Sequence, residues 1–150
     1  MVVAFISWGR RWVKGAGPNL LETEGQGGGW RIRTHRPPLE DSHFTATALA
    51  IKGISEFAEP VEKAEPIMRA LTWLKKTEPK STEDHAFKVL GLNWGEAKIE
   101  KQKAAEALLE LQSTDGGWSQ TTDMKSDAYA TGLALSALRQ SGALTANSPQ

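Results

Sequence analysis

Between residues 43 and 139 the chain alternates between two hydrophobic designs. His43 to Phe57 is apolar or small on nearly every side, with Phe44, Ala46, Ala48, Leu49, Ala50, Ile51 and Ile54 spread around a helical wheel. A helix of that kind is covered all round. Val61 to Lys76 instead gathers Val61, Ala64, Ile67, Met68, Leu71 and Leu74 on one stripe and puts charge elsewhere, as a helix with one solvated face does. Asp84 to Trp94 reads as a shorter apolar helix interrupted by Gly91. Ala97 to Leu111 repeats the one-sided design, and Tyr129 to Leu138 returns to the all-round apolar one. The order buried, amphipathic, buried, amphipathic, buried predicts an all-α body of α/α hairpins. Residues 43–57, 84–94 and 127–139 are expected inside, and residues 61–77 and 97–112 outside.

A period accompanies this alternation. Asp41 to Asp84, Asp84 to Asp127 and Trp30 to Trp73 are each separated by 43 residues. Helical repeats of that length stack into solenoids or rings. Buried inner and amphipathic outer helices predict part of an α/α toroid. A closed ring of about six such hairpins takes about 258 residues by repeat stacking, so these 150 residues form an incomplete ring. The missing remainder is expected from a homo-oligomer partner or, by preference, from a longer protein of which this chain is a piece.

The ends read differently from the body. Gly15 to Trp30 carries six glycines and Arg31 to Pro38 is rich in Arg and Pro, so residues 1–40 are expected to be irregular, with a short helical turn near Ile6 to Lys14. Residues 41–142 form the helical domain and residues 143–150 a flexible tail.

Gln112 to Trp118 reads Q-S-T-D-G-G-W, between one helical run and the next. Gly116 and Gly117 supply the backbone freedom of a tight turn. Gln112 is placed to hydrogen-bond that turn, and Trp118 offers a large flat face with one N–H donor. The segment predicts a clamp between consecutive helices.

Composition narrows the function. Lys plus Arg and Asp plus Glu balance at 18 each, which leaves no electrostatic footprint for nucleic acid. The absence of cysteine excludes disulfides and thiolate metal sites. No apolar run approaches the roughly 20 residues of a membrane span. Met1 to Trp8 lacks the basic region of a signal peptide, and localisation stays open. No motif calls for a cofactor.

Each inner helix opens with a polar cluster: Glu40-Asp41-Ser42-His43, Ser81-Thr82-Glu83-Asp84-His85, and Ser126-Asp127 before Tyr129. Equivalent helix ends of stacked hairpins lie on one rim. Asp41, His43, Asp84, His85 and Asp127 are therefore candidate catalytic residues, and His43, His85 and Asp127 a candidate metal set. The simpler account is that Ser42, Ser81 or Thr82, and Ser126 or Asp127 are N-caps, with the acids complementing helix dipoles.

The chain also resembles a known family. Lys103, Ala104, Leu108, Gln112, Asp115, Gly116, Gly117 and Trp118 follow the repeat signature of squalene and oxidosqualene cyclases, with Ala107 where the family has an aromatic. Arg69, Ala70, Trp73, Leu74 and Glu78 keep the helical half of that signature, and Gln26 to Trp30 its glycine–tryptophan end. The resemblance implies an α/α toroid and a polyprenyl or triterpenoid lipid partner. The family's acid motif, D-x-D-D, would fall on His43 to Ala46 or on Asp127 to Ala130, where only Asp127 matches. Cyclisation by this chain alone is therefore not expected.

Overall fold

The computed structural model describes Gly25, residues 27–32 and residues 42–144. Five helices carry the fold: α1 (His43–Phe57), α2 (Pro60–Lys76), α3 (Thr82–Trp94), α4 (Lys98–Leu109) and α5 (Ala128–Ser141). No strand occurs among the described residues, and the protein is all-α.

Local chemistry sets the helix ends. Ser42 caps α1 by accepting from the amides of Phe44 and Thr45, Ser81 caps α3 through Asp84 N–H, and Asp127 caps α5 through Tyr129 and Ala130 N–H. Each cap pairs amides that the first turn leaves without a helical acceptor. Pro60 opens α2, where its fixed φ fits and its missing N–H costs nothing. Gly142, at φ +80°, ends α5, and Ala143 N–H returns to Leu138 C=O.

The helices form two layers. α1 and α5 flank α3 in the inner layer, while α2 packs on α1 and α3, and α4 on α3 and α5. α3 thus touches every other helix. α1 buries seven of its fifteen residues and α3 six of thirteen, against three of seventeen in α2 and three of twelve in α4. The inside–outside assignment from the hydrophobic pattern holds for these four.

Two expectations need correction. Gly91 does not interrupt α3. A Cβ there would lie 2.7 Å from Leu74 Cδ1 and 3.2 Å from Ala48 Cβ, so the glycine lets α1, α2 and α3 close on one another. The 43-residue step of Asp41, Asp84 and Asp127 also does not mark equivalent helix positions. The inner helices begin at 43, 82 and 128, separated by 39 and 46 residues, and Asp84 sits in the first turn of α3 whereas Asp127 precedes α5.

The glycine-rich segment, expected to be irregular, is packed where described. Gly28 sits against the Arg69 backbone and Gly29 against the Trp73 ring, so a Cβ on either would fall 2.5 or 2.6 Å from α2. Trp30 is buried, and its N–H donates to Thr47 Oγ1 of α1 at 3.0 Å. The helical turn expected near Ile6 to Lys14 lies outside the described residues, as does Asp41.

Candidate functional site

The clamp predicted at Gln112–Trp118 is present. Gln112 Nε2 donates to Gly116 C=O at 2.8 Å. Asp115 Oδ1 accepts from Gly117 N–H and from Ser126 Oγ, both at 3.0 Å, and these bonds hold its carboxyl below the usual range. Trp118 is 1% exposed; its indole N–H donates to Leu108 C=O in α4 at 2.8 Å, and its backbone N–H to Thr131 Oγ1 in α5 at 2.9 Å. One tryptophan therefore ties the end of an outer helix to the start of an inner one. Ala104 and Leu108 are buried in α4 beneath it, whereas Lys103 is exposed.

The first glycine segment is a geometric copy of this loop. Gly25 N–H donates to Gly29 C=O and Gly28 N–H to Gly25 C=O, at 2.9 and 3.2 Å; Ser113 to Gly117 and Gly116 to Ser113 repeat both bonds, at 2.8 and 2.9 Å. Gly28 and Gly116 share left-handed backbones, at φ +93° and +83°. Thr47 and Thr131 each accept from the tryptophan amide and donate back to the same residue's carbonyl. The two threonines are clamp residues that the motif reading missed. Their signal was present in Ala46-Thr47-Ala48-Leu49-Ala50 and Ala130-Thr131-Gly132-Leu133-Ala134, which share A-T-small-L-A.

The rim joins inner helices mainly by structural hydrogen bonds. Ser42 Oγ donates to Asp84 Oδ1 at 2.5 Å, while Asp84 Oδ2 accepts from Lys80 N–H at 2.9 Å. Thr45 Oγ1 donates to Glu83 Oε1 at 2.6 Å. These bonds place the starts of α1 and α3 side by side, which makes the two helices parallel neighbours. Thr82 continues the rim to the next loop: its Oγ1 donates to Ser119 C=O at 2.6 Å and its N–H to Gln120 C=O at 3.1 Å.

Of the candidate residues, the rim brings together His43 and Asp84. Both line an open groove of about 470 Å³ whose walls include Trp73, Lys80, Glu83 and Thr121. His43 Nδ1 accepts from Ile32 N–H at 3.3 Å. His85 and Asp127 do not line this groove. Asp127 spends its carboxylate on capping α5. The metal set His43, His85 and Asp127 is not assembled: among the described residues no three His, Cys, Asp or Glu side chains meet as a metal requires. The physical reason is the unequal spacing of the inner helix starts, which puts the two histidines and Asp127 at different helix positions.

His85 is half-buried, and desolvation, aided by Lys88, lowers its pKa; Asp84 and Glu78 oppose the shift. The unfolded chain therefore binds a proton below pH 6.5 that the native imidazole resists. Stability attributable to this group falls as the pH drops through that window and stops falling below the depressed native value. Denaturation midpoints measured down from pH 7 are expected to fall less steeply in His85→Gln than in the parent. Parallel pH profiles would refute this assignment.

Tyr129 is displaced in the alkaline direction by burial and by the nearby Glu83 and Asp127 carboxylates, so it stays a neutral phenol at the junction of α3 and α5. In comparisons with protein-family models, curated proteins and solved structures, nothing matched this chain.

Proposed function

We propose that this chain is a helical-repeat part of a squalene/hopene-cyclase-like α/α toroid that holds a polyprenyl lipid and does not cyclise it unaided. The observation that carries the reading is the duplicated loop. Two glycine–tryptophan turns with the same hydrogen bonds, each seated on a threonine of an inner helix, are what a stacked toroid repeat needs to join successive hairpins. The lipid half of the reading comes from the resemblance of Lys103 to Trp118 to the cyclase signature. It is consistent with Leu49, which stands exposed on the inner layer.

The chemistry within the chain argues for holding rather than reacting. Proton-initiated cyclisation needs a carboxylic acid presented to an alkene by neighbouring acids. Here Asp127 is a helix cap, Asp84 accepts two hydrogen bonds within the rim, and no D-x-D-D motif exists. Purified protein incubated with squalene is expected to yield no cyclic triterpene above a matched blank. A fluorescent polyprenol is expected to bind saturably and to be displaced by unlabelled polyprenol but not by a sugar. Detection of hopene would overturn the first half, and non-saturable partitioning the second.

A second reading is favoured by the rim groove, where His43, Asp84 and the Trp73 face border one open space. In that case the chain is a non-catalytic binding module for a small polar ligand. Loss of ligand binding in His43→Ala with polyprenol binding unchanged would favour it.

A further inference from the structure

We infer that the outward face of α5, together with Gly116, is a docking surface for an amphipathic helix of the α2 kind, supplied by a further hairpin of the same repeat. The inference rests on the repeat half of the reading above and is independent of the lipid half.

The starting point is the pair of copied loops, which are equal in backbone but unequal in cover. Over the first loop lies α2: Gly28 meets the Arg69 backbone and Gly29 the Trp73 ring. Over the second, a Cβ on Gly116 would meet nothing within 4 Å. The left-handed glycine that faces a helix in one copy faces open space in the other.

The inner helices carry the same inequality. With Thr47 matched to Thr131, Phe44, Ala48 and Ile51 of α1 match Ala128, Gly132 and Leu135 of α5. The first three are 4%, 0% and 0% exposed. Phe44 packs against Trp73 of α2 with ring centroids 4.9 Å apart, and Ala48 against Gly91 of α3. Their counterparts are bare: Ala128 and Gly132 are exposed, Leu135 is 37% exposed, and a Cβ on Gly132 would meet nothing within 4 Å.

The other side of each helix serves as an internal control. Ala50 and Ile54 are buried in α1, and so are Ala134 and Leu138 in α5. Only the side that α1 turns toward the following hairpin lacks its cover in α5.

The occupant follows from what covers α1. It is a one-sided helix with an aromatic at the position of Trp73 and an aliphatic at that of Leu74, arriving beside a helix that tolerates close approach, as Gly91 does in α3. A second copy of this chain does not offer that helix free, because its own α2 is seated on its own first loop. Small residues at 116, 128 and 132 leave room for the aromatic to approach backbone, which is where packing rather than charge provides the attraction.

The cysteine-free sequence supplies a clean test. Leu135→Cys is made in the full chain, and again in a longer chain that carries a second copy of residues 58–95 after its own C-terminus. Labelling by a thiol reagent is expected to slow by about tenfold or more in the longer chain, since a docked helix must open before the thiol reacts. Changing the residue matching Trp73 to Ala in the appended copy is expected to restore fast labelling. Leu49→Cys, on the other exposed part of the inner layer, is expected to label equally fast in both chains.

Equal labelling of Leu135→Cys in the two chains overturns the proposal. Concentration-dependent protection in the unextended chain also overturns it, by making a second copy the occupant. Polyprenol binding, read separately on the unextended chain, distinguishes failure of the lipid reading from failure of this one.

Discussion

Trp118→Ala is expected to destabilise the protein by about 3–5 kcal/mol, the range for truncating a buried aromatic. The indole is 1% exposed and fills the junction between α4 and α5, so its removal leaves a cavity lined by two helices that cannot both collapse into it. The ring also donates to Leu108 C=O in the last turn of α4, a carbonyl that also accepts from Leu111 N–H at 3.3 Å. Trp118→Phe keeps most of the apolar area and loses that hydrogen bond, and is expected to fall between parent and Ala. Equilibrium denaturation reads both. An Ala variant within about 0.5 kcal/mol of the parent, typical of an ordinary surface substitution, would show that the clamp does not hold the hairpins together.

The second large effect is a difference between two copies of one turn. Alanine at Gly116 is expected to cost about 1–2 kcal/mol, because a Cβ is strained at positive φ. Alanine at Gly28 carries the same strain, and its Cβ would fall 2.5 Å from Arg69 C=O and 2.7 Å from the carbonyl carbon. That backbone belongs to α2 and cannot rotate aside as a side chain would, so overpacking adds about 1–3 kcal/mol. Gly28→Ala is therefore expected to be clearly the more damaging of the two in paired denaturation curves. Equal losses would mean that the first loop does not press against α2. Should the further hairpin dock as inferred, Gly116→Ala in the extended chain moves toward the cost seen at Gly28.

Much of this architecture was legible as periodicity. The limits of α1 follow from the all-round apolar run His43–Phe57. α2 and α4 follow from one-sided patterns, although Val61, Ala64 and Met68 of the expected α2 stripe stand exposed and Pro66, Ala70 and Leu74 are the residues buried there; the clamp follows from Gln112, the glycine pair and Trp118. These features are local: helical periodicity, capping and turn conformation are decided within a few residues of chain. The rim was less legible. Aspartates at a constant 43-residue step suggested one site, but the hairpins differ in length, so a constant spacing in sequence became unequal positions on the helices. Asp127 became a cap, Asp84 became the acceptor linking Ser42 to the start of α3, and His85 became a half-buried neutral base.

What the sequence determined by itself is the helix inventory, the inner and outer layers, and the conformation of the Gly116–Gly117 turn, because each depends on side chains close together along the chain. Tertiary structure decided the rest. The glycine–tryptophan end before Trp30 looks like a remnant of the motif, yet its turn repeats the backbone hydrogen bonds of the clamp, and Thr47, 17 residues away, receives its tryptophan amide. Gly91 looks like a helix breaker, yet it stays helical because Ala48 and Leu74 close over it and the bare backbone suits their approach. Whether a face of α1 or α5 is covered is invisible in the matched positions Phe44, Ala48, Ile51 and Ala128, Gly132, Leu135 taken alone. It depends on which helix comes to lie beside them, and burial is a property of that pairing.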